Sequence, residues 1–249
     1  LISKLLTLIA NKYAHLDPYG IGLSYEANKP GWNDACNGLP GLFGSGVSEM
    51  IELMRLVKFV KPWMNQNQEI ELLEDTKTFI SQLSTIHGNT DFDPWDLRMQ
   101  ALESYRKKRL SLSPTLIKVK LNDFIGFIIQ VDETLNEALD KAKSLDDIIP
   151  TYLTYEASDY ELIKDEKGLN VIGDYGLPLV KVKAFKMRSL PSFLEGPARY
   201  LKILDKPKEA KLLYDKVKLS ELYDQKHKFY QTSVSLENES FEIGRLKAF

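Results

Sequence analysis

The residues best suited to chemistry lie in one short stretch, "KPGWNDACNGLPGLFG", between Lys29 and Gly44. Trp32, Asn33 and Asp34 place a flat ring, an amide and a carboxyl group at consecutive positions. Such a ring can stack on the apolar face of a sugar, and the polar groups can bond its hydroxyls. The residue types therefore indicate a carbohydrate site. The alternative is that the glycines and prolines only set turns between two helices.

Asp34 is the candidate general acid of this stretch. Trp32 precedes it, and Leu39, Leu42 and Phe43 follow it closely in the chain. An apolar pocket raises the pKa of a carboxyl group and keeps it protonated, ready to donate. Irregular loops longer than roughly 12–15 residues inside a compact domain are usually functional, which favours this interpretation.

Two further charged residues are candidate ligands. Glu195 precedes a Gly-Pro pair and stands four residues before Arg199. In a continuous helix these two side chains would form an ion pair, whereas a carboxylate at a helix break could face a cavity and bind a ligand. Lys29 suits a sugar or phosphate ligand, and its alternative is a surface ion pair with Glu26.

The composition excludes several classes of partner. The 249 residues are 43% hydrophobic and 27% charged, with a formal net charge of -2. This balance argues against nucleic acid or an anionic membrane surface, and the apolar runs are far shorter than the roughly 18 residues of a membrane span. A single cysteine excludes an internal disulfide and favours the cytoplasm. The three scattered histidines predict no metal site.

The elements that would position these residues are mostly helical. Apolar positions at spacings of three and four predict helices over residues 1–16, 47–61, 68–86, 95–110, 121–145, 190–204 and 208–222. Alternating residues predict a small β excursion at about 151–187, with two to four short strands. We therefore expect a mainly α fold with helices packed in pairs.

The stretches "YEANKPGWND" and "NGLPGLFGSG" resemble the region around the catalytic acid of glycoside hydrolase family 94. These are inverting β-glycoside phosphorylases of the cellobiose phosphorylase kind, and the similarity is greatest to the branch with the 1,2-β-oligoglucan phosphorylases. "LPSFLEGPARYLK" and "SLENESFEIGRLKAF" are similar to later stretches of that branch. Cys36 stands where the family leads us to expect a small aliphatic residue.

The resemblance implies a fold. The implied fold is a partial (α/α)6 barrel with a small inserted β-hairpin or antiparallel β region. Because family members are much longer and this chain begins without methionine, we expect residues 1–249 to be a fragment of a single (α/α)6 catalytic domain. It also implies a homodimer in the full-length protein.

The resemblance also implies a reaction. Asp34 would protonate the glycosidic oxygen of a β-gluco-oligosaccharide while inorganic phosphate attacks the anomeric carbon from the opposite face, giving α-glucose 1-phosphate. Trp32 would form a wall of the sugar site, Asn33 and Lys29 would hold hydroxyls, and Glu195 would be a further sugar contact. Phosphate is a co-substrate, and no cofactor is implied.

Two alternatives remain open. An inverting hydrolase on the same barrel needs a second carboxylate about 6.5–9.5 Å from the acid to admit water. Glu195 or a carboxylate within Glu237–Glu242 could supply it. The other alternative is an inactive sugar-binding fragment, which would keep the wall of the sugar site and lack the phosphate site.

Overall fold

A computed structural model describes residues 1–25, 44–88, 92–110, 114–173 and 176–237. Seven α-helices are found in these ranges: α1 (Ile2–Ala14), α2 (Val47–Val60), α3 (Glu74–Ser84), α4 (Phe92–Arg109), α5 (Ile125–Leu145), α6 (Glu195–Leu201) and α7 (Pro207–Leu219). Short 3-10 helices follow α2 at Lys61–Trp63 and precede α5 at Leu121–Phe124.

The same ranges contain eight strands: β1 (Leu23–Ser24), β2 (Ser45–Gly46), β3 (Glu69–Leu73), β4 (Leu116–Lys120), β5 (Tyr152–Leu162), β6 (Val180–Ser189), β7 (Tyr223–Asp224) and β8 (Phe229–Tyr230). The largest sheet has the order β1-β2-β5-β6, while β3 pairs with β4 and β7 with β8. All of these pairings are antiparallel.

The main core lies among α1 to α5. Helix α5 shows why: its buried residues recur at spacings of three and four and form one apolar face, made by Phe127, Ile128, Val131, Leu135, Ala138 and Ala142. Tyr13 of α1 meets Phe127 edge to face at 5.9 Å. Phe79 of α3 stacks on Tyr105 of α4 at 4.6 Å. These ring contacts join α1 to α5 and α3 to α4 within the core.

The prediction of a mainly α protein built as a partial (α/α)6 barrel is wrong. The described residues combine the seven helices with a four-stranded antiparallel sheet and two smaller sheets. Long hairpin strands β5 and β6 lie in and just beyond the predicted β excursion, but sheet structure also occurs elsewhere. The fold is therefore a mixture of helices and antiparallel sheets.

Part of this error comes from the predicted helix over 68–86. Its first residues form β3, and the helix begins only at Glu74. Ile70 and Leu72 of β3 are both buried and alternate with exposed neighbours. Ile70 and Leu73 are also three residues apart, which fits a helical face, and the partner strand β4 lies far along the chain, so local spacing could not decide.

Candidate functional site

Four of the five predicted site residues fall in one gap of the description. Lys29, Trp32, Asn33 and Asp34 lie within residues 26–43, outside the described residues. The residues on both sides of this gap are described, and so is Glu195. Residues 23–25 and 44–46 flank the segment that contains Asp34, and we call them the segment base. The candidate site is described from there.

Both ends of the 26–43 segment are fixed at one place in the main sheet. Ser24 of β1 pairs with Ser45 of β2. The Tyr25 N–H donates to the Gly44 carbonyl at 3.1 Å, and the Gly44 N–H donates to the Leu153 carbonyl at 2.9 Å. The entry and exit of the segment are thus hydrogen-bonded to each other and to β5.

Two glycines of the segment base allow tyrosine rings to lie against its backbone. A Cβ on Gly44 would overlap the ring of Tyr155, and a Cβ on Gly46 would overlap the hydroxyl end of Tyr25. Any larger residue would force one of these rings away. The two glycines of "GSG" at 44–46 are therefore needed because tyrosine rings lie directly against the backbone, and not only because glycine lets the chain turn.

Glu195 is brought to this same place from far along the chain. The ring of Tyr25 lies 6.2 Å from that of Tyr152, centroid to centroid. The hydroxyl of Tyr152, in turn, donates to Glu195 Oε2 at 3.3 Å. The structure thus joins the one described candidate residue to the entry of the segment that contains Asp34, through two tyrosines that the sequence had not indicated.

The position of Glu195 depends on a tight approach between α6 and the start of β5. The Gly196 N–H donates to Thr151 Oγ1 at 2.8 Å, and the Thr151 hydroxyl donates to the Phe193 carbonyl at 3.0 Å. A Cβ on Gly196 would come within 2.6 Å of Thr151 Oγ1. The glycine beside Glu195 therefore lets the first turn of α6 sit directly on Thr151.

Helix α6 begins at Glu195 and not at the predicted residue 190, so the Gly-Pro pair lies at the start of the helix and not at a break inside it. Pro197 lies in the first turn, where the backbone N–H that it lacks would have no helical partner. Arg199 consequently reaches Glu195 Oε1 at 3.4 Å, as the four-residue spacing predicts. The shorter ion pair of Arg199 is with Glu52 Oε1, at 2.7 Å.

The carboxylate of Glu52 lies within ion-pair distance of three basic side chains, close to Glu195. Arg199 lies 2.7 Å and Lys202 3.7 Å from its Oε1, and Arg55 lies 2.6 Å from its Oε2. Partial burial alone would raise the pKa of Glu52, but the hydrogen bonds from Arg199 and Arg55 outweigh it and lower that pKa. The carboxylate is therefore ionised at neutral pH, and the positive charges around it exceed its own.

Two tyrosines are neutral at physiological pH: Tyr25, in the segment base, and Tyr155 of β5, which packs against it. Burial raises the pKa of Tyr25 well above its ordinary value, and the nearby Glu49, Tyr152 and Glu195 raise it further. Burial raises the pKa of Tyr155 to about 12, although a hydrogen bond with Ser24, at 2.9 Å, opposes the shift. Both hydroxyls therefore keep their protons and can donate hydrogen bonds.

Sequence reasoning did not identify Asp17 as a candidate residue. Asp17 is fully buried. Its Oδ1 accepts a hydrogen bond from the Tyr19 N–H at 3.0 Å, and its Oδ2 accepts one from Ser45 Oγ at 2.7 Å. An aspartate that bonds the N–H two residues later forms an Asx turn, and Asp-Pro-x-Gly is a signal for that turn. The bond to Ser45 has no local signal.

No group of three or more His, Cys, Asp and Glu side chains in the described ranges could hold a metal ion. None of the helices in those ranges is both long and apolar enough to cross a membrane.

No protein-family model matches this chain, and no curated protein matches it either.

Proposed function

We propose that this protein carries the catalytic acid of an inverting glycoside phosphorylase and that the acid is Asp34. The substrate would be a β-linked gluco-oligosaccharide, the co-substrate inorganic phosphate, and the product α-glucose 1-phosphate. The observation that carries the proposal is the Trp32-Asn33-Asp34 triplet within the motif from Lys29 to Gly44. A cytoplasmic location belongs to the same proposal, and the single cysteine favours it.

The proposed step needs one protein carboxyl group. An oxygen of hydrogen phosphate forms a bond to the anomeric carbon while the glycosidic C–O bond on the opposite face breaks. Asp34 gives its proton to the leaving oxygen, so the departing sugar leaves with a free hydroxyl. The sugar phosphate then releases the proton of the former hydrogen phosphate, and solvent returns a proton to Asp34. Trp32 would support the sugar ring, with Asn33 and Lys29 at its hydroxyls.

Uncharged phenols lie around the segment base. Tyr25 and Tyr155 are neutral phenols packed against the two ends of the 26–43 segment. Glu195 is joined to Tyr25 through Tyr152 and is the further sugar contact of this proposal. The cations around Glu52 give the neighbouring surface an excess of positive charge, which suits an anionic co-substrate.

A hydrolase would instead need a general base with an oxygen directed at water. Glu195 is a described carboxylate joined to the segment base, and both of its oxygens already accept hydrogen bonds, from Tyr152 and Arg199. The other candidate base, a carboxylate within Glu237–Glu242, lies outside the described residues apart from Glu237. A hydrolase and an inactive sugar-binding fragment are outcomes that the experiments below distinguish.

The acid role of Asp34 is tested by changing the leaving group. With Asp34→Asn, we expect phosphorolysis of a gluco-oligosaccharide to fall by about 100- to 10,000-fold, because a sugar alkoxide is a poor leaving group without a proton donor. A β-glucoside of an acidic phenol should lose far less, because its leaving group needs no proton. Asp140→Asn, at an exposed carboxylate of α5, is the control and should match the unaltered protein. An equal loss on both substrates, or none, would overturn the assignment.

A further inference from the structure

Asp17 bonds to residues on both sides of the 26–43 segment. Its Oδ1 accepts the N–H groups of Tyr19 and Ile21, at 3.0 and 2.9 Å. Its Oδ2 accepts the N–H of Gly22 at 2.8 Å and the hydroxyl of Ser45 at 2.7 Å. The first three partners lead into β1 before the segment, and the fourth is in β2 directly after it. One carboxylate therefore links the chain entering the segment to the chain leaving it.

The environment of Asp17 shows that this link is a built feature. Asp17 and Arg98 are both fully buried. Burying a charged group is costly unless it is hydrogen-bonded and balanced by an opposite charge. Asp17 has four donors, and Arg98 donates to the carbonyl of the neighbouring Leu16 at 3.5 Å, which places a positive charge near the carboxylate. The buried carboxylate is therefore satisfied by its hydrogen bonds and lies near a buried guanidinium group.

We propose that Asp17 is a positioning residue for Asp34: by bonding Ser45 and the turn before β1 at once, it holds both ends of the segment that carries the acid. This role rests on the proposed function. The link acts together with the β1-β2 pairing, in which Ser24 faces Ser45. Loss of the link should let the two ends shift relative to each other, and a displacement of about 1 Å can cost about 100-fold in rate.

Ser45→Ala tests the link more specifically than Asp17→Asn, because Asp17→Asn also disturbs the turn that precedes β1. Ser45→Ala removes only the bond across the segment and leaves the three backbone bonds of Asp17. The matched control is Thr76→Val, which removes another buried hydroxyl whose partner, Tyr105 at 3.2 Å, belongs to the helical core. Ser45→Ala loses a bond to a carboxylate and should lower the melting temperature more than Thr76→Val, which loses a bond between two hydroxyls.

The experiment measures two quantities on the whole chain. Hydrogen exchange reports the amide of Tyr25, which bonds the Gly44 carbonyl across the segment base, and the amide of Gly44, which bonds the Leu153 carbonyl of β5. We expect both to exchange about tenfold faster in Ser45→Ala and at the unaltered rate in Thr76→Val. Steady-state kinetics should show kcat for phosphorolysis lowered by about 10- to 100-fold in Ser45→Ala alone.

Each outcome decides one point. Unchanged exchange at Tyr25 and Gly44 would overturn the link itself. Faster exchange with unchanged kcat, or an equal loss of kcat in Thr76→Val, would overturn the positioning role and leave the proposed function standing. If the unaltered protein forms no sugar phosphate, the proposed function fails and the positioning role with it, while the exchange measurement still reports whether Asp17 links the two ends.

Discussion

Glu52 is the residue on which the charges beside Glu195 depend. Its two oxygens bond Arg199 and Arg55, and Lys202 lies within ion-pair distance. All of these side chains are partly open to water, so each pair contributes little alone. The shared carboxylate nevertheless fixes where Arg199 lies, and Arg199 in turn contacts Glu195. Glu52 thus connects the surface of α2 to the candidate site.

Replacing Glu52 with glutamine should produce a pH-dependent loss of stability. The pKa of Glu52 is lowered in the folded state, so its contribution is present above the unfolded pKa and is lost as the pH falls through the folded pKa. At pH 7 we expect Glu52→Gln to lower the melting temperature by about 1–3 °C. The difference from the unaltered protein should shrink as the pH falls below about 4.5.

Thermal unfolding followed by circular dichroism between pH 3 and pH 8 measures this effect. Glu103→Gln is the control, since Glu103 forms an exposed i,i+3 pair with Arg106 on α4, and it should change the melting temperature by less than Glu52→Gln. A difference for Glu52→Gln that persists unchanged at the lowest pH would contradict the role given to the carboxylate.

At the residue scale, the spacing of residues in the sequence predicted contacts between residues that are close together in the chain. The four-residue step from Glu195 to Arg199 predicts an ion pair in a continuous helix, and that ion pair is found. Tyr152, which also bonds Glu195, could not be predicted, because the contact depends on how β5 lies beside α6. Asp17 and Ser45 were missed for the same reason. Asp34 and its neighbours remain predictions from residue type.

Among the elements, the junction of α6 with β5 depends most on a single residue type. Gly196 lies against Thr151 Oγ1 and the carbonyls of Ile149 and Pro150, and a Cβ would come within 2.6 to 3.0 Å of all three. Two of these atoms belong to the backbone and cannot turn aside. The junction therefore excludes any side chain at this position, and it sets where Glu195 lies.

Gly196→Ala and Gly126→Ala should have opposite effects on stability. Gly196→Ala overpacks the junction and should lower the free energy of unfolding by about 1–3 kcal/mol. Gly126, in the first turn of α5, has no atom within 4 Å of a built Cβ, and alanine there should raise the free energy by about 0.5–1 kcal/mol. Urea unfolding of the two variants measures both. A stabilising Gly196→Ala would show that the junction is looser than described.

How well an element could be predicted depended on its length. The pattern over 121–145 predicted a helix, and α5 occupies Ile125–Leu145 after one 3-10 turn, because six turns of consistent spacing outweigh any local exception. The five residues of β3 gave no such signal. Strands β1 and β2 have two residues each, and they exist because the chain ends they join also bond β5 and Asp17. No short stretch of sequence shows which distant residues these two strands bond.

In the molecule as a whole, stability is concentrated among α1 to α5 and is low at the outer end of the β5–β6 hairpin. Leu135 of α5 is 0% exposed, whereas Leu177, in the turn region between the two strands, is 69% exposed. Several neighbouring apolar side chains of the turn region are exposed as well, namely Leu169, Ile172 and Leu179. The hairpin therefore extends from the body and adds little to the core.

Truncating one leucine in each region measures this distribution. Leu135→Ala should lower the free energy of unfolding by about 2–5 kcal/mol, because it leaves a cavity in the packed core. Leu177→Ala removes the same atoms from a side chain already in water and should change it by less than about 0.5 kcal/mol. Urea unfolding of both variants gives the two values. A large loss for Leu177→Ala would mean that the hairpin end is packed in solution.

The most direct test of the central claim is product analysis with and without inorganic phosphate. The purified protein is incubated with a panel of β-linked gluco-oligosaccharides, and phosphorus and proton NMR identify any sugar phosphate and its anomeric form. We predict α-glucose 1-phosphate from at least one oligosaccharide, only when phosphate is present, and none with Asp34→Asn. Free glucose released without phosphate, or a protein and an Asp34→Asn variant that behave alike, would contradict the account.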